Sequence, residues 1–336
     1  MHGHIEGKPI LEVRDLTVEY DTGGDRPVVA VDAVDLEVHA GEFVGVVGES
    51  GCGKSTLLFA IAQLLSPPAA ITSGDVRFQG QNLVAMSEKK LAALRWRDFS
   101  VVMQSAMNAL NPVTSIGTQF RDAIMAHDEA VADDRPAEVM RLVGIDPIHL
   151  KSYPHQLSGG MRQRAMIAMA LLFTPDLIIM DEPTSALDVV AQRSLMVQIK
   201  ELQQQLGFAV VFVTHDMSLI SHFSDQLVVM YAGQVVELGA TRAVFDHPAH
   251  PYSKGLLDAF PSIRGPKVPL IGIPGSPPDL AHPPNGCRFN PRCPEVFADC
   301  PKIEPELYQV GAVQARCLLH APGAATAVEP VQEARS

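Results

Sequence analysis

The residues best suited to chemistry form a glycine-rich stretch near the start of the chain. Residues 48–55 fit the pattern G-x-x-x-x-G-K-S, between a short apolar segment and a segment of helical character. Glycines let backbone N–H groups turn towards bound phosphates, and the following helix adds its positive N-terminal end. Lys54 is then expected to reach the β- and γ-phosphates of a nucleotide, and Ser55 to bind Mg²⁺. The residues assigned to the nucleotide in this loop are Gly48, Ser50, Gly51, Cys52, Gly53, Lys54, Ser55 and Thr56.

Two acidic residues follow a second apolar segment, residues 177–180. Asp181 suits the surroundings of Mg²⁺, and Glu182 suits a general base that activates or orients water for in-line attack on a γ-phosphate. Two acidic residues after a strand usually mark only a solvent-exposed strand end, without a catalytic role. In a chain that also carries a phosphate-binding loop, they predict hydrolysis of a bound nucleoside triphosphate.

Four of the five cysteines lie near the C-terminal end, at Cys287, Cys293, Cys300 and Cys317, while Cys52 stands alone in the phosphate loop. In a reducing cytoplasm such a cluster points to a metal rather than to disulfides. The spacing is not that of paired C-x-x-C zinc ribbons. A proline follows two of the cysteines, as in bacterial ferredoxin motifs. An iron–sulfur cluster, a structural zinc ion and unligated thiols all remain open from the residues alone.

The elements that position these residues can be predicted from the hydrophobic pattern. Strands are expected at residues 10–20, 28–38, 42–48, 75–78, 100–103, 177–181, 208–214, 226–231 and 234–238, and helices at 57–65, 162–173 and 189–206. Alternation of strands and helices predicts an α/β fold with a largely parallel sheet covered on both faces. With the phosphate loop between strand and helix, the expected fold class is that of a P-loop NTPase.

The chain is expected to divide into a large domain and a small extension. The ATPase domain is predicted at residues 8–250, with a helical subdomain inserted at about residues 105–172. A small irregular extension is predicted at residues 251–320, where prolines, glycines and the four cysteines replace periodic segments. A region with so small a hydrophobic core needs an additional cross-link to be ordered, which favours a metal-binding extension. Residues 321–336 are predicted to form a disordered tail.

Composition and charge exclude several classes of protein. Apolar residues make up 47% and charged residues 19% of the 336, which is typical of a globular protein. The net charge of −12 argues against nucleic-acid binding, because phosphate backbones select basic surfaces. No segment approaches the roughly 20 apolar residues that cross a bilayer, and the first residues do not resemble a signal peptide. We therefore expect a soluble, cytoplasmic protein.

One further stretch connects these features. Residues 157–163, Leu-Ser-Gly-Gly-Met-Arg-Gln, resemble the signature sequence of ABC-type ATPases. The order of the other motifs also matches that family: phosphate loop, Gln104, signature, the acids at 181–182, Ser-Ala-Leu-Asp at 185–188, and His215. One departure is Met161, at a position where many members carry glutamine. The resemblance implies an ABC-type nucleotide-binding domain.

The resemblance also implies roles for individual residues. Tyr20 is expected to stack on adenine, Gln104 to link Mg²⁺ and water to the helical subdomain, and His215 to contact the γ-phosphate. Ser158, Gly159, Gly160 and Asp188 are expected to act across a dimer interface, where the signature completes the ATP site of a partner chain. ATP binding then joins two such domains and hydrolysis separates them, which converts binding energy into domain motion.

The C-terminal part narrows the resemblance to one branch of the family. Residues 247–252, His-Pro-Ala-His-Pro-Tyr, and 286–294, Gly-Cys-Arg-Phe-Asn-Pro-Arg-Cys-Pro, resemble dipeptide/oligopeptide importers. Together the similarities extend from about residue 10 to residue 320. Some members of this branch hold a 4Fe–4S cluster in the extension, which implies the same at Cys287, Cys293, Cys300 and Cys317, with Zn²⁺ as the alternative.

The branch implies that ATP hydrolysis with Mg²⁺ powers peptide import at the cytoplasmic face of the membrane. The expected partners are two transmembrane permease subunits, a second ATPase subunit (a paralogue or an identical chain) and an extracytoplasmic binding protein. The alternative cargo is nickel or oligosaccharides. A soluble ABC ATPase acting on ribosomes or DNA is disfavoured by the single domain and the negative charge. A vestigial ATPase that only binds metal is disfavoured by the intact Lys54, Glu182 and His215.

Overall fold

The computed structural model describes residues 8–104, 109–127, 132–185, 187–259 and 272–323. The strands are β1 Leu11–Tyr20, β2 Val28–Val38, β3 Phe43–Val47, β4 Ala69–Phe78, β5 Gln81–Asn82, β6 Phe99–Val102, β7 Leu177–Asp181, β8 Ala209–Val213, β9 Gln226–Tyr231, β10 Gln234–Ala240, β11 Tyr308–Val310 and β12 Val313–Ala315. The helices are α1 Lys54–Ile61, α2 Glu88–Leu94, α3 Ile116–Ala126, α4 Arg135–Leu142, α5 Gly159–Ala170, α6 Val189–Leu206, α7 Met217–Phe223, α8 Thr241–Asp246 and α9 Pro251–Asp258.

The larger sheet has the strand order β11-β12-β10-β9-β3-β8-β7-β6. Its centre is parallel: β3 pairs with β8 and β9, and β7 pairs with β8 and β6. Every residue of β3, β7 and β8 is buried, as expected for parallel strands covered on both faces. Because these strands run in one direction, their carboxyl ends meet at one edge of the sheet, where ligands bind in open α/β folds.

Two apolar cores lie on the two faces of this sheet. Phe43 and Val47 belong to one core, while Val44 and Val46 belong to the other, as the alternation of a strand requires. The second core also includes Leu57 and other residues of α1, together with the antiparallel sheet β2-β1-β4-β5. Helix α1 is therefore held between two sheets, and the loop that precedes it is fixed at both ends.

Between β6 and β7 the chain forms α3, α4 and α5, in the region predicted to be helical. Helix α5 begins at Gly159, three residues before the predicted start, because Ser158 caps it: the Ser158 hydroxyl accepts a hydrogen bond from the Met161 N–H at 3.3 Å. Residues 105–108 of the predicted subdomain lie outside the described residues. The prediction that residues 321–336 are disordered falls largely on residues 324–336, which also lie outside them.

The C-terminal part has more regular structure than the sequence pattern predicts. Strand β12 pairs antiparallel with β10 and with β11, so that two short strands extend the main sheet beyond the ATPase core. Each is three residues long, too short to show an alternating pattern. Strand β4 was also predicted too short, since residues 69–74 pair with β1 despite their mixed polarity. No described helix combines the length and apolar character needed to cross a membrane.

Candidate nucleotide-binding site

A cavity of about 510 Å³ lies at the carboxyl edge of the main sheet. It is lined by Tyr20, Val28, Ala30, Gly48, Ser50, Gly51, Gly53, Lys54, Ser55, Thr56, Gln104, Glu182 and His215. The size is within the range of small-molecule sites. The structure thus brings together residues from widely separated parts of the chain that the sequence assigns to one nucleotide.

The phosphate loop needs its glycines for space as well as for backbone conformation. Gly48 has a φ of 152° and Gly53 a φ of 104°, both in the region that favours glycine. A Cβ on Gly48 would lie 2.2 Å from the Met230 carbonyl oxygen, and one on Gly53 would lie 2.0 Å from that of Ala30. The loop therefore packs directly on the backbone of β2 and β9, which leaves its inner surface open to the cavity.

Lys54 lies at the centre of the curved loop. Its buried ammonium donates to the carbonyl oxygens of Gly48 at 2.8 Å and Glu49 at 2.9 Å. The thiol of Cys52 lies 3.7 Å from the same Nζ and is buried rather than exposed to the cavity. Burial raises the pKa of the Cys52 thiol, with Lys54 opposing that shift. Cys52 is thus the one residue of the predicted set in this loop whose side chain does not line the cavity.

Two oxygen donors suited to Mg²⁺ lie at the base of the cavity. The Ser55 hydroxyl donates to Asp181 Oδ1 at 3.1 Å. Asp181 is almost fully buried at the end of β7, and burial raises the pKa of its carboxyl while the Ser55 hydrogen bond lowers it. Hydroxyl and carboxylate oxygens are the ligands that a hard cation prefers. These residues therefore fit the magnesium ion that accompanies a nucleoside triphosphate.

Glu182 is held between residues that follow the neighbouring strands. Gln104, two residues after β6, donates to Glu182 Oε2 at 2.8 Å. His215, two residues after β8, has its Nδ1 at 3.4 Å from Glu182 Oε1. Glu182 itself has a φ of 44°, a left-handed conformation that is strained for a side chain of this kind and concentrates at functional sites. The Glu182 carboxylate, which follows β7, is thus held on its two oxygens by side chains that follow the neighbouring strands β6 and β8.

Tyr20 ends β1 at the rim of the same cavity. Its half-buried ring is anchored by the hydroxyl, which lies 3.1 Å from Thr56 Oγ1. Val28 and Ala30 of β2 line the cavity beside it. The structure thus places the aromatic ring of Tyr20 and two apolar side chains of β2 on the lining of the same cavity.

The signature residues lie apart from this cavity. Ser158 and Gly160 line a second cavity of about 390 Å³, which shares no lining residue with the first. Gly159 begins α5 beside them, and Asp188 caps α6, accepting a hydrogen bond from the Ala191 N–H at 2.9 Å. Ala186, in the predicted segment 185–188, lies outside the described residues. Within one chain, these residues therefore do not reach the phosphate loop.

The four C-terminal cysteines line one small cavity of about 10 Å³, far smaller than the nucleotide cavity. None forms a disulfide. Burial raises the pKa of the Cys293 and Cys317 thiols to about 12. In the part of the chain that the structure describes, no group of three or more histidine, cysteine, aspartate or glutamate side chains has the arrangement to hold a metal ion.

Sequence reasoning missed several residues near the cysteines and the phosphate loop. His250, at the start of α9, lines the cavity of the cysteines, and its Nε2 is buried without a hydrogen-bond partner. Burial lowers the pKa of His250 to about 3, so the ring is neutral. The His-Pro-Tyr motif at 250–252 was visible in the sequence, but its closeness to the cysteines depends on the fold. Arg292 and Glu49 were missed altogether.

Comparison with known proteins decides the family. Residues 31–185 match the family model described as ABC transporter, and residues 236–300 match that of the oligopeptide/dipeptide transporter C-terminal region. The dipeptide transport ATP-binding protein DppD of Bacillus subtilis is 41% identical over 302 residues, which cover 88% of this chain and 90% of the relative. The chain belongs to the ATP-binding subunits of ABC transporters, in the dipeptide and oligopeptide transport branch. It is therefore an ATP-hydrolysing transporter subunit.

Other relatives and solved structures agree with this membership. The oligopeptide transport ATP-binding protein OppD of Salmonella typhimurium is 40% identical over 312 residues, covering 91% of this chain and 92% of the relative. A dimeric post-hydrolysis structure of the ATP-binding cassette MJ0796, bound to ADP and Pi, has a TM-score of 0.61 at 28% identity and covers 69% of this chain and 99% of its own. The structure of cbiO1 from Clostridium perfringens has a TM-score of 0.62 at 27% identity. The match covers 71% of this chain and 92% of the cbiO1 chain. The α/β fold of an ABC ATPase is thereby confirmed.

Proposed function

We propose that this chain binds and hydrolyses ATP to power the import of dipeptides or oligopeptides through partner permease subunits. The observation that carries the ATPase part is the single cavity where the phosphate loop meets Gln104, Glu182 and His215. The peptide cargo is supported by the match of residues 236–300 to the peptide-transporter C-terminal region and by the names of the relatives.

The residues that bind the nucleotide have distinct roles in the proposed reaction. Tyr20 stacks on adenine, and the backbone N–H groups of the phosphate loop cradle the phosphates. Lys54 leaves the loop carbonyls for the β- and γ-phosphates. Ser55, Asp181 and Gln104 would hold Mg²⁺, which supplies neutralisation of the phosphate charge when bound.

Hydrolysis depends on the position of Glu182. Its carboxylate accepts a hydrogen bond from the attacking water and orients it in line with the γ-phosphate. Gln104 holds one carboxylate oxygen, while His215 lies beside the other. From that position we propose that His215 contacts the γ-phosphate. Since both neighbours come from adjacent strand ends, a small shift of the helical region or of the β8 end changes the alignment of the base.

A complete site requires a second ATPase subunit. We propose that Ser158, Gly159, Gly160 and Asp188 act on the nucleotide held by the phosphate loop of a partner, because they lie in a cavity separate from their own loop. A paralogous subunit is the partner we propose, and an identical chain is the alternative. Closure on ATP and release after hydrolysis then supply the motion that drives transport.

The helical region offers a surface for the two permease subunits. Val113 is 77% exposed, Met125 76% and Ile148 67%, so three large apolar side chains of this region face solvent. We propose that this surface docks on the permeases at the cytoplasmic face of the membrane, so that the chain is a peripheral subunit. The extracytoplasmic binding protein acts through the permeases, without contact to this chain.

Replacing Tyr20 with alanine should raise the KM for ATP. Stacking of a base on an aromatic side chain contributes about 1–3 kcal/mol by alanine substitution, which corresponds to about 5- to 150-fold in affinity. Tyr20→Phe is the matched control, because it keeps the ring and loses only the contact to Thr56. Steady-state ATPase measurements on the assembled transporter decide: an unchanged KM in Tyr20→Ala would remove Tyr20 from the adenine site.

We propose a 4Fe–4S cluster at the C-terminal cysteines. Support comes from the four thiols that line one small cavity, from the absence of disulfides among them, and from the resemblance of this segment to cluster-binding importers. Among the described residues no three such side chains already have a metal-binding arrangement, so the thiols would have to shift to ligate the cluster. Thiolates also suit Zn²⁺, which remains the alternative. When bound, the cluster would cross-link a segment with little core of its own, so its binding free energy becomes folding free energy.

Anaerobically purified protein is accordingly expected to be brown and to contain about four iron atoms per chain. Cys293→Ser should lose most of the colour and iron, whereas Cys52→Ser, in the phosphate loop, should retain both. Elemental analysis with absorbance spectroscopy makes the measurement. Colourless protein with about one zinc ion per chain would establish the zinc alternative.

The cargo is tested on the binding protein that serves the same transporter. A ligand screen is expected to select dipeptides or oligopeptides over nickel and oligosaccharides. Selection of nickel or of an oligosaccharide would keep the ATPase and replace the proposed cargo. A chain that co-purifies with no permease would instead favour an ABC ATPase outside transport.

A further inference from the structure

Arg292, which directly precedes Cys293, reaches from the C-terminal segment to the phosphate loop. Its Nη1 donates to Glu49 Oε2 at 2.7 Å and its Nη2 donates to Glu49 Oε1 at 2.9 Å, a two-pronged ion pair that spans 243 positions of the chain. The Arg292 side chain is only 6% exposed and that of Glu49 25%. Paired geometry of this kind fixes both position and orientation of the carboxylate.

The guanidinium of Arg292 is itself held on its other sides. Nε donates to the Pro274 carbonyl oxygen at 2.8 Å, and Nη1 also donates to the Tyr231 hydroxyl at 3.3 Å. The guanidinium carbon lies 5.8 Å from the centre of the Tyr231 ring, which packs against Tyr252 and Phe289. Because these contacts leave the Arg292 side chain little conformational freedom, the position of Glu49 depends on where the C-terminal segment places Arg292.

Glu49 is the second residue of the phosphate loop, and all its polar groups are occupied. Its N–H donates to the Tyr252 hydroxyl at 2.9 Å, and its carbonyl oxygen accepts from Lys54 Nζ at 2.9 Å. The loop is therefore held from outside by Arg292 and Tyr252 and from inside by Lys54. A change in the position of Arg292 would move the loop backbone that faces the phosphates.

We propose that Arg292 is a positioning residue of the phosphate loop, through which the packing of the four-cysteine segment (residues 286–317) sets the affinity for ATP. The proposal rests on the proposed function, because it requires ATP at this loop. Arg292 lies outside the cavity and acts through Glu49. By linkage, ATP binding must stabilise the four-cysteine segment to the same extent that the segment favours ATP.

A double-mutant cycle on the full chain tests the coupling, with the Kd for a fluorescent ATP analogue and Mg²⁺ as the readout. Arg292→Gln and Glu49→Gln should each raise the Kd on the order of tenfold. The double variant should resemble either single one, because both remove the same interaction. Arg292→Lys, which keeps the charge without the two-pronged geometry, should restore the affinity only in part.

Arg316→Gln is the matched control. Arg316 also precedes a cysteine, but it donates to the carbonyl oxygens of Val235 at 3.1 Å and Pro305 at 3.2 Å rather than to the phosphate loop. It should leave the Kd unchanged even if it lowers the thermal stability. Equal effects of Arg316→Gln and Arg292→Gln on the Kd, or additive effects in the cycle, would overturn the proposal.

Hydrogen exchange of the unmodified chain gives an answer that needs no variant. Mg²⁺ and the ATP analogue should slow exchange of the amides of residues 288–296, which lie outside the nucleotide cavity. Exchange there that is insensitive to a saturating analogue would contradict the proposal. An unmodified chain that binds no ATP analogue at all would instead contradict the proposed function.

Discussion

Glu182→Gln is expected to lower the kcat for ATP hydrolysis about 10²–10⁴-fold, the usual contribution of a general base, while ATP binding stays intact. Glutamine has the same size and can still accept the hydrogen bond from Gln104 Nε2, which now spans 2.8 Å to the carboxylate. It cannot take a proton from the attacking water. The phosphate loop, Lys54 and Ser55 are untouched, so the nucleotide should remain bound and hold two ATPase subunits together.

Steady-state ATPase rates of the assembled transporter and the Kd for an ATP analogue make the measurement. Glu201→Gln, which changes an exposed carboxylate on α6, is the matched control and should turn over normally. Normal turnover by Glu182→Gln would refute the role of Glu182. Loss of ATP binding in that variant would indicate that Glu182 supports the loop rather than the reaction.

Ser158→Arg is expected to abolish hydrolysis at the site of the partner subunit and to spare nucleotide binding by its own phosphate loop. The long cationic side chain would occupy the space that the partner's γ-phosphate needs. Ser158→Ala is the control, because it removes the cap of α5 without filling that space. Loss of a capping side chain costs about 0.5–2 kcal/mol of stability, a much smaller effect than a blocked site.

Photocrosslinking of an ATP analogue, resolved for each subunit of a mixed complex, separates the two sites. Label should disappear from the partner and persist on the chain that carries Ser158→Arg. If the change instead removed label only from its own chain, the model of a shared site would fail for this transporter.

The central parallel strands could be predicted from the sequence because a strand that is buried on both faces consists of consecutive apolar residues. Strands β7 and β9 and helix α6 have the predicted bounds, residues 177–181, 226–231 and 189–206. The adjacency of Gln104, Glu182 and His215 also follows from parallel strands, whose carboxyl ends meet at one edge. The family resemblance, carried by the signature and the order of motifs, is confirmed by the comparisons.

The remaining features depend on tertiary structure. The pairing of β12 with β10 joins short segments without alternation, so no local pattern predicted it. Cys52 matched the loop motif, but whether its thiol faces the phosphates or the interior depends on the neighbouring backbone. The ion pair of Arg292 with Glu49 joins residues far apart in the chain. No pattern of residue spacing in the sequence could have predicted it.

Peptide-dependent ATP hydrolysis coupled to uptake tests the central claim most directly. Proteoliposomes would carry this chain, its second ATPase subunit and both permeases, with Mg²⁺ and ATP enclosed and the binding protein outside. Addition of the binding protein loaded with a labelled dipeptide should stimulate ATP hydrolysis and bring label inside, and both effects should vanish with Glu182→Gln. Hydrolysis that does not respond to the peptide-loaded binding protein, with no uptake of label, would contradict the claim that this chain powers peptide import.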